Sequence, residues 1–189
     1  MQSPLVVKGA VSRARGKLRR QKQMESWVGV PDPGSRWIPL TKNQIAIVDE
    51  EDFDRVSARA WFCSGSGDYL QAICHWGKTT IVMSRFIMNA PPGVHVDHIN
   101  HNTLDNRKSN LRLCSHAENH RNLKKFKNGA TSRFKGVCFD PGSKKYRAYG
   151  VLNYVQHHIG RFSNEIDAAL AYNSWASINH GEFACLNEI

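Results

Sequence analysis

The residues of this chain whose types could do chemistry are concentrated between Val94 and Asn122. Asp97 and His98 close a short apolar run, Asn110 opens an alternating Asn-Leu-Arg-Leu segment, and Asn119 follows Glu118 shortly after Ser115. A neutral imidazole with a pKa near ~6.5 is suited to take a proton from water. A carboxylate with an amide oxygen suits a hard divalent cation, Mg²⁺ or Mn²⁺, better than zinc, with waters and a phosphate completing the shell. Alone, an Asp-His pair is more often a surface ion pair or a turn, and Ser-x-x-Glu is only a helix cap. Their joint occurrence, in order and at compatible spacing, is what points to chemistry.

The elements that must position these groups can be read around them. Asn100, Asn102, Asp105, Asn106, Ser109 and Asn110 are turn formers whose side chains satisfy nearby backbone groups, so this stretch is expected to be a loop held by its own side chains. Asn110-Leu111-Arg112-Leu113 alternates polar and apolar and predicts a short strand with one buried face. Ser115-His116-Ala117-Glu118 is a capping-box pattern that predicts a helix start, with Asn119 in its first turn facing the strand that carries Asp97. The unit is strand, strand, helix, with a polar cluster at its centre.

This stretch resembles the HNH motif of the ββα-metal endonucleases. The resemblance rests on Asp97-His98, on Asn110 at the opening of the second strand, and on Glu118-Asn119 on the helix. It implies that His98 is the general base, that Asp97 and Asn119 are ligands of one divalent metal ion, Mg²⁺ or Mn²⁺, and that Asn110 orients loop and imidazole. Asn119 stands where many members have His, which makes this an H-N-N variant. Residues 37–89 resemble the segment that precedes the motif in phage-type endonucleases, with Ser84 where a His is common.

Composition bounds the rest. The 189 residues suffice for one ordinary domain or two small ones. A net charge of +10 and a pI near 9.6 favour an acidic partner, with nucleic acid first, against a mere solubility role. The five cysteines, at 63, 74, 114, 138 and 185, form no C-x-x-C pair and no zinc-finger set, so free thiols in a reducing compartment are expected, and a structural zinc module lacks its ligands. No apolar run is long enough to span a membrane and the N-terminus lacks a signal-peptide core; the protein is expected in the cytoplasm, for a phage-type enzyme that of an infected host cell.

In chain order, residues 1–34 are basic, with Lys8, Arg13, Arg15, Lys17, Arg19, Arg20 and Lys22, and predict a flexible arm that either lies along DNA phosphates or is simply solvated. Residues 35–130 are expected to form the nuclease domain around the motif at 94–125. Its strands fall at 44–48, 69–74 and 79–83, a helix starts in the acidic run 49–54, and another spans 84–89. Residues 131–189 predict three strands, at 134–139, 146–151 and 157–162, then an Ala-rich helix from about 164 to 179.

The small residues Ala168, Ala169, Ala171 and Ala176 would let that helix lie close on one sheet face. Lys135, Arg147, Tyr149, His158 and Arg161 are expected on the other face, a basic and aromatic set fit to enter a DNA major groove. This segment resembles the Apetala-two DNA-binding domain through Ser132, Phe134-Lys-Gly-Val137, Lys145-Tyr-Arg-Ala148, Ile159-Gly-Arg-Phe162, Ala168-Ala169, Ala171-Tyr172, Gly181-Glu-Phe-Ala184 and Asn187. It departs at Tyr146, where Trp is usual, and at Asn173, where Asp is usual.

The expected fold class is α+β: a β-rich N-terminal segment and a ββα nuclease module, followed by a three-stranded antiparallel sheet packed on one helix. The expected function is a metal-dependent, homing-type HNH endonuclease acting on double-stranded DNA as a monomer. Arg107 and Arg112 are added to the DNA contacts. Removing 131–189 is expected to leave weak nicking and much reduced affinity. The alternative is a DNA-binding regulator whose HNH module is inactive.

Overall fold

A computed structural model describes residues 31–67, 69–125 and 130–189. The basic arm expected over 1–34 lies almost wholly outside the described residues. The chain forms two compact units that do not follow chain order. Among the described residues, one comprises 31–91 with Asn100–Arg112, the other Pro92–Ile99 with those from Leu113 to Ile189. Among the described residues, four small sheets and four helices make a mixed α and β structure.

In the first unit, β1 (Ser35–Pro39) and β2 (Ile45–Asp49) pair antiparallel, with Trp37 opposite Ile47. The chain runs straight from β2 into α1 (Glu50–Ser57), whose first turn holds Glu50, Glu51 and Asp52, the charges that complement a helix N-terminus. A meander follows of β3 (Phe62–Ser66), β4 (Tyr69–Trp76) and β5 (Thr79–Val82), and then α2 (Met83–Ile87). Trp61 is the anchor of this core: it is fully buried and donates its indole N–H to the Val56 carbonyl at 2.8 Å.

The polar loop belongs to this first unit, and its side chains do hold it. Asn100 Oδ1 accepts from the Asn102 amide at 2.8 Å, Asn102 Oδ1 from Leu104 at 3.1 Å, and Asn106 Nδ2 donates to the Leu104 carbonyl. The backbone is also stitched to β2, with Ile47 donating to Leu104 and Asn106 donating to Ile47 at 2.8 and 2.7 Å. That attachment buries Asp105 and Asn106.

In the second unit, β6 (His95–His98), which pairs with β7 (Leu111–Cys114), is followed along the chain by α3 (His116–Asn122). The capping box is formed as expected: the Ser115 hydroxyl accepts from the Glu118 amide, and the Glu118 carboxylate accepts from the Ser115 amide at 2.7 Å. Then β8 (Val137–Asp140), β9 (Lys145–Leu152) and β10 (Val155–Phe162) form an antiparallel sheet in the order β10-β9-β8. α4 (Glu165–His180), capped by Asn164, packs Ala168 and Ala169 against Val137 and Ala148 of the sheet and Phe134 just before it. Gly150 is required where it is, because a Cβ there would lie 2.1 Å from the Trp175 ring.

His180, at the end of α4, makes this unit sensitive to acid. Its Nε2 must donate to the Val151 carbonyl at 2.9 Å, so Nδ1 is the bare nitrogen, and it is buried with no hydrogen-bond partner among the described residues. Burial holds the imidazole below its ordinary value; the Val151 bond opposes the shift, and the charges of Arg121 and Lys135 add to it. The folded state therefore takes up a proton less readily than the unfolded chain. The stability His180 contributes is complete above about pH 6.5 and is lost as pH falls through its lowered pKa. Thermal melting followed from about pH 7 to about pH 5 should show a steeper loss for wild type than for His180→Gln, which retains a donor but no titrating ring.

Candidate active site and nucleic-acid face

β6 presents Asp97 and His98 as neighbours, and successive side chains on a strand point to opposite faces. Asp97 is 6% exposed and His98 is half-buried. The group packed on Asp97 comes from α3: Asn122, 4% exposed, donates its side-chain amide to both carboxylate oxygens at 3.0 Å and to the His98 carbonyl at 3.2 Å. Asn119 lies one turn earlier on the same helix and is half-buried; its backbone amide closes the capped turn onto the Ser115 carbonyl. Asn122 was not singled out by sequence reasoning. The available signal was its three-residue spacing from Asn119, which puts the two amides on neighbouring turns.

Asn110 holds the polar loop from within the first unit. Its Oδ1 accepts from the Asn100 amide at 2.9 Å and its Nδ2 donates to the Asp105 carbonyl at 2.8 Å. Arg107, expected at DNA, is committed elsewhere. Its guanidinium forks onto Asp105 at 2.8 and 2.7 Å and reaches Asp32 at 3.0 Å. Those hydrogen bonds, outweighing the cost of burial, raise its pKa further above the ordinary arginine value. On Asp105, burial pushes the carboxyl up, but the Arg107 bonds and charge outweigh it and hold the group below the usual carboxylate range. Arg112 is half-buried on β7.

Lys135 is likewise off the sheet face where alternation would have set it. It precedes β8, and its ammonium donates to the Arg121 and Leu123 carbonyls at 2.5 and 2.6 Å, so it caps the C-terminal end of α3. Burial lowers its pKa. The other four residues of that set come together. Arg147, Tyr149, His158 and Arg161 line, with Gln156, a depression of about 280 Å³ on the sheet surface. Cross-strand register explains this, since His158 lies opposite Tyr149 and Arg161 opposite Arg147. Strict alternation would send His158 and Arg161 to opposite faces; the bulge between His158 and Gly160 returns them to one.

Sequence reasoning also missed a row of imidazoles in this unit. His95 of β6 meets His116 edge-on with ring centres 5.3 Å apart, and His116 lies 4.4 Å from His120, four residues along α3. His116 and His120, with Arg121 and Lys124, form one wall of a cavity of about 570 Å³.

Among the described residues, no three His, Cys, Asp or Glu side chains gather to hold a metal ion. A site of one carboxylate plus amide oxygen would not need them. Both Asp97 oxygens accept from Asn122, and a Mg²⁺-like ion commonly takes one or two carboxylates and leaves the rest of its shell to water and phosphate. By donor type, a carboxylate such as that of Asp97 and an amide oxygen such as that of Asn119 suit a hard cation.

Residues 89–121 match the family model described as HNH endonuclease. Over 153 residues the chain is 33% identical to an uncharacterized HNH endonuclease of Acanthamoeba polyphaga mimivirus, an alignment covering 78% of this chain and 77% of the relative. The chain belongs to the HNH endonuclease family. This endonuclease is thus a hydrolase by family, and its matched segment contains Asp97, His98, Asn110 and Asn119, while Asn122 falls just beyond it. No solved structure matches the chain. Among the described residues of the endonuclease, no helix is long and apolar enough to cross a membrane.

Proposed function

We propose that this endonuclease hydrolyses phosphodiester bonds of double-stranded DNA with one divalent cation, Mg²⁺ or Mn²⁺, and is of the homing type. The observation that carries the reading is Asp97 and His98 side by side on β6, with Asp97 bonded to the helix that bears Asn119, inside the matched family segment. Asp97 and Asn119 would hold the cation, which when bound neutralises charge on the scissile phosphate and the leaving oxygen. The His98 imidazole takes the proton of the attacking water as its oxygen bonds to phosphorus. The P–O3′ bond then breaks, and the 3′ oxygen takes a proton from water. Asn110 fixes the loop that precedes β7.

Supercoiled plasmid incubated with the protein and Mg²⁺ or Mn²⁺ is expected to give nicked circles, because one cutting module acting as a monomer breaks one strand per binding event. Chelator should stop the reaction. Nicking that persists unchanged in chelator would overturn metal dependence, and linear product from the outset would overturn the monomeric reading.

The resemblance of 132–187 to an Apetala-two domain gives the sheet face its role: Arg147, Tyr149, His158 and Arg161 contact DNA, with Arg112 and the arm 1–34 as further contacts. Arg107 and Lys135, tied to Asp105 and to α3, support structure in this reading. If Arg147 reads a base edge, Arg147→Ala relaxes preference at that base by ~1–3 kcal/mol; a phosphate contact instead weakens all sequences alike and flattens the salt dependence. Binding measured across a salt series on a panel of substituted sites separates these results. The viral relative supports a setting in an infected host cell.

A further inference from the structure

We infer that Asn122 is a positioning residue of the cutting site, whose one buried amide fixes the Asp97 carboxylate and the His98 backbone relative to each other. The inference rests on the reading that Asp97 binds the cation and His98 is the base. Asp97 and His98 are neighbours on β6, so their relative placement depends on the backbone between them. Something must hold the backbone between them, and Asn122 grips both ends: Asp97 Oδ1 and Oδ2 at 3.0 Å, and the His98 carbonyl at 3.2 Å. A carboxylate and a carbonyl accept only, so the position requires a donor; a side chain without an N–H would leave these buried oxygens short of a bond.

Asn122 is itself held. The carbonyls on either side of it, of Arg121 and Leu123, both accept from the Lys135 ammonium, and the Lys135 backbone is paired in both directions with the Asn187 side chain at 2.6 and 3.0 Å. Groups that orient a metal ligand typically change metal affinity or activity by ~10–100-fold when removed.

The test uses the full chain. Mn²⁺ binding is measured by loss of the free-ion electron paramagnetic resonance signal without DNA, and single-turnover nicking at saturating protein and metal, for wild type, Asn122→Leu, Asn122→Gln and Asp97→Ala. Asn122→Leu, similar in shape but without donors, should lose Mn²⁺ affinity and nicking rate by ~10–100-fold while binding DNA normally in chelator, and Asn122→Gln should recover part of both. If Asp97→Ala loses Mn²⁺ binding while Asn122→Leu keeps wild-type affinity and rate, the inference is overturned and the site reading stands. If Asp97→Ala keeps wild-type Mn²⁺ binding, the site reading itself fails. Should Asn122→Leu not fold, Mg²⁺ titration of the wild-type protein decides: the Asn122 side-chain amide resonance must shift with the binding isotherm, and an amide that does not respond sinks the inference.

Discussion

His98→Ala is expected to lower the single-turnover rate of strand cleavage by ~10²–10⁴-fold, the usual contribution of a general base, and to leave DNA affinity nearly unchanged. As the proposed base, the imidazole would act on the attacking water and not on the bound ground state, so the loss would fall in the chemical step. The structure makes the variant a clean one. Asn122 holds residue 98 through its backbone carbonyl, which alanine retains, and the His98 side chain is only half-buried. Near-wild-type nicking by His98→Ala would remove His98 from the mechanism.

Deleting residues 131–189 should abolish cleavage as well as reduce affinity, a stronger result than the weak residual nicking expected from sequence. α3, with Asn119 and Asn122, shares its compact unit with the sheet and α4, packs against the turn at Gly181–Phe183, and has its C-terminal carbonyls capped by Lys135. Truncation strips those supports from a seven-residue helix, too short to be stable in water alone. Cleavage assays at protein concentrations high enough to offset weakened DNA binding distinguish the outcomes. Nicking restored by concentration would mean that the cutting module stands without its neighbour.

What sequence showed of the site was local. The capping box at Ser115 and Glu118, the asparagine-held loop and the small residues Ala168 and Ala169 that let α4 lie close on its sheet each depend on residues within a few positions of one another. What it did not show was long-range. The spacing of Asn122 from Asn119 sets the two on neighbouring turns but does not name Asp97, 25 residues away, as its partner, and no spacing shows that the loop backbone is stitched to Ile47. β1 and β3 were not delimited, since SRWIP ends in proline and FCSGS is rich in small polar residues with little strand preference. Arg107 is expected at DNA because positive charge is visible in a sequence; its pairing with Asp105 and Asp32 is visible only in the structure. His158 and Arg161 do share the face expected for them, but through a bulge that strict two-residue alternation does not contain.

The pairing of Asn187 with Lys135 sets a clock on the enzyme's birth. Asp97, His98, Asn119 and Asn122 are all made before Lys135, and Lys135 before the residue that fixes its backbone in both directions. At synthesis rates of ~5–20 residues per second, the helix of the cutting site waits on the order of several seconds for its last support. During that interval the nascent chain holds Asp97, His98, Asn119 and Asn122 but not the pairing that supports α3, so that helix gains its last support only after residues 131–187 have been made.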